Sequence, residues 1–467
     1  MSVEHSPPKR TTRCPEPSNT PSATGGHAGG CPAGGCPAGP RLPLFVQTWL
    51  LRTRPDRYLR WCRARYGAVF TVKDVVGGPH VFVTDPEHVR AVFAGDPATL
   101  RAGEANTVLG PVLGRRSVLL LDGAEHLQRR RLLLPAFHGE QVARQEALMR
   151  AVVAEQLAGW PVGVPLRAHE RTRQIALEII LRVVLGVAEA GRVARLRAAL
   201  PRVVDLRPAD LLMITYPRLN RIGRWRRYWA HKAVVDAMLD AEIALRRNDP
   251  RLAERDDVLS SLVTAYLAAG QPTDDGELRD QLITLLLAGH ETTATALAWS
   301  LELLARNQPE QERLAASVRT GAEAAGATGY SGAVVTEALR LRPVIEFVGR
   351  RVVEPFALPG HDVPARTVIC PAIGLVHADP GQHPDPERFR PERWLGGGQA
   401  PGMVLPFGGG TRRCLGAPFA VAELRVALEE IVRRYRLHPV GRRPERPRMR
   451  HITAVPARGA RIVLTPR

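Results

Sequence analysis

The chain has 467 residues, of which 45% are hydrophobic and 24% are charged, a composition typical of a globular protein with a large core. The formal net charge is +19, but only three of the 65 basic residues are lysines and no nucleic-acid-binding motif occurs, so general basicity is favoured over a nucleic-acid partner. Six cysteines in so long a chain exclude a disulfide framework and favour a reducing, cytoplasmic location, and the apolar run at residues 42–51 is too short for a transmembrane segment.

Residues 1–40 are rich in proline, glycine, serine and threonine, which predicts a disordered tail. The alternative is a zinc site in this tail. Its candidate ligands are Cys14, His27, Cys31 and Cys36. Their spacing matches no standard zinc motif, so the disordered tail is favoured. We expect a single domain over residues 41–467.

The first elements of this domain are predicted from short-range patterns. Residues 68–84 are rich in valine and phenylalanine and are interrupted by Gly77-Gly78-Pro79, which predicts a β-hairpin. Asp85-Pro86-Glu87 then provides the N-cap, the proline and the acidic residue of a helix start. Most of the remaining chain has helical periodicity, with short β runs near Val352 and Val368. The predicted fold class is therefore mainly α with small β-sheets.

The longest predicted helix covers residues 274–306 and measures about 45 Å. Asp274 and Glu277 resemble a capping box at its start, and Asn307 with Pro309 marks its end. The helix is largely apolar, so a transmembrane helix is the alternative. Polar and charged side chains within it favour a buried helix of a globular domain instead, namely Arg279, Asp280, His290 and Glu291.

The strongest local pattern is the glycine-rich segment 407–416, which contains Cys414 and precedes a helical pattern that begins at Ala417. Three consecutive glycines at 408–410 allow a tight turn with positive φ angles. A cysteine just before a helix N-terminus is stabilised as a thiolate by the helix dipole. Gly416 leaves room for a flat cofactor beside the backbone. The alternative for a lone cysteine is a buried structural residue.

This segment has every fixed position of the pattern Phe-x-x-Gly-x-Arg-x-Cys-x-Gly, as Phe407, Gly410, Arg412, Cys414 and Gly416. It resembles the haem-ligand loop of the cytochrome P450 family. The resemblance implies the cytochrome P450 fold, with haem b between the long helix and this loop and with Cys414 as the axial ligand of the iron. It also implies that Phe407, Gly408 and Gly416 contact the haem, and that residues 41–467 are one catalytic domain.

Two further elements of that family occur in the expected order before the cysteine. Glu337 and Arg340 form a Glu-x-x-Arg pair on one face of a predicted helix, and Arg393 lies in a segment that resembles the family's meander. An isolated Glu-x-x-Arg pair is a weak signal, because charged helices commonly contain one. The resemblance implies that these three residues are structural and brace the loop behind the haem.

Within the long helix, residues 288–293 resemble the family's oxygen-activation motif. The resemblance implies that the Thr292 hydroxyl holds dioxygen by a hydrogen bond and that the Glu291 carboxylate relays protons from solvent. Ala288 and Gly289 lie about one turn earlier, where small residues leave space for dioxygen. The alternative is a helix that merely tolerates polar residues.

Burial of the two haem propionates requires cationic partners. His126 and Arg130 are four residues apart on a helix that is predicted to begin after Asp122, so they share one face. The resemblance implies that these two residues, together with Arg412 and Arg350, bind the propionates. For Arg350 the alternative is a solvated arginine.

The resemblance implies an enzyme that inserts one oxygen atom of O2 into a lipophilic molecule such as a fatty acid, terpenoid, steroid or polyketide. Few residues follow Cys414, so electrons from NAD(P)H are expected to arrive through a separate ferredoxin or flavodoxin and its reductase. We expect a monomer. A peroxide-using haem-thiolate enzyme (a peroxygenase or isomerase) and a non-catalytic haem-binding protein are the alternatives, and the intact Glu291-Thr292 pair argues against both.

The predicted substrate pocket is formed by residues 101–118, residues 205–218, the turn at Ala288 and residues 344–348, which are mostly apolar. Within the last segment, Glu346 is either a polar anchor for the substrate or a solvent-facing side chain.

Two basic regions have open interpretations. Residues 218–232 mix arginines with aromatic residues, and they either contact a membrane or an acidic headgroup or form a solvated helix face. Arg129, Arg131 and Arg413 either attract an acidic redox partner or belong to a generally basic surface.

Overall fold

The computed structural model describes residues 35–75, 77–187, 189–204, 222–270, 275–321, 329–396 and 402–467. Several sequence predictions therefore lie outside the described residues: most of the N-terminal tail, the pocket segment 205–218, the first part of the 218–232 segment, and the Asp274 cap.

The protein is mainly helical, as its sequence pattern predicts. In chain order, the described α-helices are α1 (Leu44–Thr53), α2 (Pro55–Tyr66), α3 (Pro86–Ala94), α4 (Ala102–Ala105), α5 (Gly110–Leu113), α6 (Gly123–Leu133), α7 (Gly139–Leu157), α8 (Ala168–Ile179), α9 (Ala190–Val204), α10 (Gly223–Arg247), α11 (Val258–Ala268), α12 (Asp275–Arg306), α13 (Gln308–Thr320), α14 (Tyr330–Leu341), α15 (Ile373–His377) and α16 (Ala417–Arg434). A π-helical turn, Ile180–Val184, continues α8.

The strands form small sheets, which confirms the predicted fold class. They are β1 (Val69–Asp74), β2 (Gly78–Val83), β3 (Leu100–Arg101), β4 (Pro165–Arg167), β5 (Arg350–Val352), β6 (Phe356–Leu358), β7 (His361–Val363), β8 (Val368–Pro371), β9 (Tyr435–Pro439), β10 (Pro447–Arg450), β11 (Thr453–Pro456) and β12 (Arg461–Pro466). The largest sheet has the order β1-β2-β8-β5-β3; β2 and β8 are parallel and the other neighbours are antiparallel. A second sheet has the order β4-β12-β9.

The hairpin and the helix start that were predicted after residue 68 are both confirmed. Strands β1 and β2 pair antiparallel, with Val69 opposite Val83. The Asp85 carboxylate caps α3 by accepting the N–H of Glu87 at 2.8 Å. Both features depend on contacts between residues that are close in sequence, so local patterns predict them well.

Helix α12 is the central element of the hydrophobic core. Its 32 residues span about 48 Å, and it packs against α8, α10, α14 and α16. Leu282, Leu286 and Leu301 are buried on it. Among the residues that the structure describes, no helix combines the length and the hydropathy needed to cross a bilayer.

Glu277, near the start of α12, has tertiary partners that the predicted capping box did not include. Its Oε1 atom accepts a hydrogen bond from the Tyr266 hydroxyl at 2.8 Å and lies 2.8 Å from Nε of Arg129. A buried carboxylate gains more from a guanidinium than from a neutral donor, because charge-assisted hydrogen bonds are stronger. Glu277 therefore links α12 to α6 and α11.

A buried ion pair joins the end of α10 to the start of α11. The Arg246 guanidinium contacts the Asp257 carboxylate, the Ser260 hydroxyl at 2.7 Å and the carbonyl oxygen of Leu185 at 3.0 Å. Asp257 also caps α11 by accepting the Ser260 N–H at 2.9 Å. Arg246 and Asp257 are both buried, so each charge depends on the other for compensation.

We predict that Arg246→Met lowers the free energy of unfolding by about 3 kcal/mol, because the buried Asp257 would lose its buried guanidinium partner and keep only the partly exposed Arg255, whose Nε lies 3.1 Å away. Urea titration of the variant measures this loss. The matched control is Arg167→Met, which removes an exposed pair with Glu170 and should cost at most about 1 kcal/mol. Equal losses in the two variants would contradict the prediction.

Candidate functional site

The predicted cysteine loop connects Leu405 to α16 and depends on glycine geometry. Gly408 and Gly410 have φ angles of 66° and 64°, which favour glycine strongly. A Cβ atom at Gly410 would lie 2.0 Å from the carbonyl oxygen of Phe93 on α3, so a side chain cannot be accommodated there. The Cys414 N–H donates to the Phe407 carbonyl oxygen at 2.9 Å and closes the loop.

Cys414 lies three residues before α16, as predicted, and its thiol is exposed on one side. On the other sides the surrounding protein encloses it, and this enclosure raises the pKa of the thiol. A hydrogen bond from the Gly416 N–H and the charges of Arg130 and Arg413 act in the opposite direction and lower the pKa. The site therefore supplies donors and positive charge that would stabilise a metal-bound thiolate.

Four predicted cationic residues come together beside this loop. His126 on α6 is buried, and burial together with the charges of Arg412, Arg130 and Arg350 lowers its pKa to about 4. Burial and the charge of Arg412 lower the pKa of Arg350 to about 10. Within the described part of the chain, neither Arg130 nor Arg350 is in an ion pair, whereas Arg412 pairs with Asp122. This cluster has more positive than negative charge and suits a ligand with two carboxylates.

The polar turn of α12 presents an open face made of small residues. Ala288 is exposed and Gly289 and Thr292 are partly exposed, although they lie in the middle of a buried helix. A Cβ atom at Gly289 would meet only the Ile180 side chain, at 3.8 Å. The Thr292 hydroxyl donates to the Ala288 carbonyl oxygen, and His290 is buried on the other side of the helix. Together with the exposed thiol and the cationic cluster, this face fits a haem.

Glu291 faces a different part of the structure from Thr292, because successive residues of a helix are about 100° apart. Its carboxylate lies 3.1 Å from Nε of Arg173 and 3.5 Å from Nε2 of His169, both on α8. Arg450 on β10 lies 3.6 Å away. These partners are distant in sequence, and no local pattern predicted them.

The segment before α6 connects α12 to the cysteine loop. The N–H of Val118 donates to Oε1 of Gln281 on α12 at 3.0 Å, and the carbonyl oxygen of Val118 accepts from Arg412 at 3.2 Å. The Ser117 hydroxyl accepts from Thr284 at 2.7 Å. The position of Arg412 is therefore coupled through Val118 to α12, the helix that contains the predicted oxygen-activation motif.

Asp122 precedes α6, as predicted, but its carboxylate does not cap that helix. It accepts the N–H groups of Gly103 and Glu104, both at 2.8 Å, and pairs with Arg412. The carboxylate thus accepts hydrogen bonds from two amides at the N-terminus of α4 and also binds a guanidinium. If it capped α6 instead, it would bond only to neutral amides and lose the stronger charged interaction.

The three residues that are predicted to be structural meet in one hydrogen-bond network. The fully buried Glu337 carboxylate accepts from Arg340 at 2.8 and 2.9 Å and from Arg393 at 3.0 Å. Trp394 Nε1 donates to the same carboxylate at 2.9 Å. Arg340 also donates to the carbonyl oxygen of His377 at 2.9 Å. The carboxylate therefore joins α14 to the meander, and Arg340 extends the network to α15.

His377 is a residue of this site that the sequence analysis missed. Its Nε2 atom accepts the N–H of Leu405 at 2.7 Å, so Nδ1 carries the proton and donates to the carbonyl oxygen of Arg340 at 3.2 Å. Burial lowers the pKa of His377 to about 3, so the ring is neutral and this tautomer is retained. A histidine at the end of an apolar run gives no sequence signal for this role. It links the Glu337 network directly to the start of the cysteine loop.

The structure separates the three arginines of the predicted basic patch. Arg129 is paired with Glu277 and mostly buried, so its charge is neutralised and its inclusion in the patch was wrong. Arg131 and Arg413 are exposed. Arg129 turns inward because it pairs with the Glu277 carboxylate on α12, and sequence spacing does not predict this contact between distant residues.

The described part of the 218–232 segment belongs to α10. Its Trp225 and Trp229 side chains pack against the main core, while Arg226 and Arg227 are exposed. Both alternatives require exposed arginines, so the solvated helix face stays a prediction.

Glu346 is half-buried and lines a cavity with Asp56 and Arg342. Burial raises its pKa to about 7, so part of the population is protonated at neutral pH. Its use as a substrate anchor remains a prediction.

Comparison with known proteins agrees with this geometry. A family model described as "Cytochrome P450" matches residues 37–463. The chain is 44% identical over 426 residues to "Putative cytochrome P450 135B1" of Mycobacterium tuberculosis (strain ATCC 25618 / H37Rv), covering 91% of this chain and 90% of that protein. It is 40% identical over 430 residues to "Putative cytochrome P450 135A1" of the same strain, covering 92% and 95%. A solved structure, "Retinoic acid bound cyanobacterial CYP120A1", has a TM-score of 0.79 at 22% identity, covering 93% of this chain and all of that one, and it shows the same fold.

We predict that His377→Phe lowers the free energy of unfolding by about 2–4 kcal/mol, because it leaves the Leu405 N–H and the Arg340 carbonyl without partners. The variant should also contain less protein with the red-shifted absorption of a reduced, sulfur-ligated haem carbonyl complex. Urea titration and the absorption spectrum measure the two effects.

His377→Gln retains both a donor and an acceptor and should recover part of the spectral signature. The control is His438→Phe, a partly exposed histidine of β9 that bonds to Thr465. A wild-type spectrum and wild-type stability for His377→Phe would exclude the proposed link to the loop.

Proposed function

The chain belongs to the cytochrome P450 family and is a haem-dependent monooxygenase, and we propose that it inserts one oxygen atom of O2 into a lipophilic small molecule with electrons from separate redox proteins. The observations that carry the proposal are an exposed thiol beside a cluster of excess positive charge, and an open, small-residue face on α12. Each of the three corresponds to one requirement of haem-dependent oxygen transfer. Val118 connects α12 to Arg412 of that cluster.

In this proposal the Cys414 sulfur would hold the haem iron, and the N–H of Gly416 would stabilise negative charge on that sulfur. His126, Arg130, Arg350 and Arg412 bind the propionates. Burial and the neighbouring arginines lower the pKa of His126 to about 4, and two propionate carboxylates beside it would act in the opposite direction. His126 would donate a hydrogen bond to a propionate. Phe407, Gly408 and Gly416 form the part of the loop that lies against the ring. Bound haem supplies the iron that binds and reduces dioxygen.

The acid and alcohol of α12 have separate tasks in the proposed mechanism. The Thr292 hydroxyl lies on the open face and donates its one proton to the Ala288 carbonyl oxygen. During turnover it would redirect this proton from the carbonyl oxygen to dioxygen. The Glu291 carboxylate is held by Arg173 and has Arg450 nearby, and both arginines are partly exposed. Proton supply would therefore enter from the α8 and β10 side and reach the Thr292 hydroxyl.

The proposed substrate is lipophilic, of the fatty acid, terpenoid, steroid or polyketide type. Among the described pocket segments, Leu109 packs against the main core and Val344 is buried. The carbonyl oxygen of Val344 accepts the N–H of Ala454 at 2.8 Å, which ties this part of the predicted pocket wall to β11. An apolar wall with few polar groups favours apolar substrates.

The proposed electron donor is an acidic ferredoxin or flavodoxin that receives electrons from NAD(P)H through its reductase. Arg131 on α6 and Arg413 in the cysteine loop are exposed near the thiolate side of the site. Positive charge at this position would attract an acidic partner and raise the rate of association.

The main test combines ligation and turnover. The reduced carbonyl complex of the wild-type protein should show the red-shifted absorption of a sulfur ligand, and Cys414→Ser should abolish it.

Purified protein with ferredoxin, its reductase and NAD(P)H is then offered a lipid library, and oxygenated products are identified by mass spectrometry. Products with peroxide alone and none with the redox partners would replace the monooxygenase with a peroxide-using enzyme. A Cys414→Ser spectrum identical to the wild type would refute the proposal altogether.

We predict that Thr292→Val lowers the rate of product formation by about a hundredfold, since the hydroxyl that donates to the bound oxygen is lost while the side-chain volume is conserved. NAD(P)H should still be consumed, but more of the reduced dioxygen should leave as hydrogen peroxide. An unfolded variant would not consume NAD(P)H, so this measurement distinguishes a loss of proton delivery from a loss of folding. The matched control is Thr293→Val, a buried neighbour on the other face of α12. Equal coupling of NAD(P)H to product in the two variants would contradict the assigned role.

A further inference from the structure

Apolar side chains form a contiguous exposed surface around α1. We call this surface the α1 face; it consists of Leu42, Leu44, Phe45, Trp49 and Val75, all of which are exposed. Phe45 is 71% and Trp49 is 57% exposed. The N–H of Val75 donates to the hydroxyl of Thr48 at 3.0 Å, which places the β1–β2 turn beside the helix. Single exposed apolar residues are ordinary, but a group of large neighbouring ones indicates a binding surface.

Helix α1 buries a polar side chain and leaves two aromatic side chains exposed. The side chain that it buries is Gln47, at 1% exposure, together with Leu51. The Gln47 amide donates to the carbonyl oxygens of Pro40 at 3.1 Å and Leu42 at 2.7 Å, and it accepts the N–H of Lys73 at 2.9 Å. A satisfied polar group therefore holds the helix in place, and its aromatic side chains are left outside.

The charges around this surface are positive. Residues 41–55 contain Arg41, Arg52 and Arg54 and no acidic residue. Arg52 is paired with Asp74 at 2.7 Å. Arg41 and Arg54 are exposed, and within the described ranges no carboxylate pairs with either of them. Large apolar side chains bordered by arginines are complementary to a surface with negative charge above an apolar layer.

We propose that the α1 face docks the enzyme on an anionic phospholipid bilayer. Trp49 and Phe45 would enter the boundary between headgroups and acyl chains, and Arg41 and Arg54 would contact lipid phosphates. Docking of this kind is peripheral and uses none of the residues assigned to oxygen transfer, so it stands independently of the proposed substrate and redox partners.

The test uses the full-length, haem-loaded protein and vesicles of phosphatidylcholine, alone or mixed with an equal amount of phosphatidylglycerol. Co-sedimentation should show strong binding to the mixed vesicles and weak binding to phosphatidylcholine. Phe45→Ser/Trp49→Ser should lower the partition coefficient on mixed vesicles at least tenfold, because two rings no longer leave water. Arg41→Gln/Arg54→Gln should lower it about tenfold on mixed vesicles and leave it unchanged on phosphatidylcholine.

Two matched controls separate this face from the generally apolar and basic surface. Leu245→Ser/Leu267→Ser removes two exposed leucines of α10 and α11, and Arg226→Gln/Arg227→Gln removes two exposed arginines of α10. Both should bind vesicles like the wild type. The haem absorption spectrum and the Tm of each variant verify its folding.

Several outcomes would overturn the proposal. One is a wild-type protein that fails to bind the mixed vesicles, and another is equal weakening by the arginine control, which would indicate attraction by net charge alone. A third is a dimer in analytical ultracentrifugation that dissociates in Phe45→Ser/Trp49→Ser without any vesicle binding. The α1 face would then be a contact between two copies of the chain.

Discussion

The buried carboxylate of Glu337 is the group on which the thiol loop depends. It accepts hydrogen bonds from two arginines and an indole that come from separate parts of the chain, and it has no access to water. A carboxylate in such surroundings is tolerated only when every lone pair is engaged. Through Arg340 and the neutral ring of His377, this requirement extends to Leu405, from which the loop begins. The position of Cys414 is therefore decided by electrostatic compensation some distance from the sulfur.

Much of this arrangement is visible in the sequence, because several elements depend on short spacings. The Asp85 cap, the β1–β2 hairpin and the pairing of Glu337 with Arg340 all join residues that are close along the chain. The positive φ angles of Gly408 and Gly410 follow from the run of glycines for the same reason. Where the geometry is local, residue type and spacing carry nearly all of the information.

The parts that could not be predicted are contacts between distant segments. The position of Asp122 predicts that it caps α6, but its carboxylate oxygens bind a guanidinium and the amides of α4 instead. Arg129 is withdrawn from the surface by Glu277, and Val118 joins α12 to Arg412 through its backbone. A backbone carbonyl has the same sequence signature at every position. Only the folded chain shows which one accepts.

The open face of α12 has a consequence for the history and redesign of this enzyme. Glycine in the middle of a helix costs roughly 0.5–1 kcal/mol relative to alanine, yet a methyl group at position 289 would make only an ordinary contact with Ile180. The helix is therefore less stable with glycine at this position, although the surrounding protein has room for a larger side chain. Side chains of graded size introduced here would reduce, one carbon at a time, the open volume beside the proposed dioxygen site. Position 289 is accordingly a place where selectivity can be adjusted while helix stability improves.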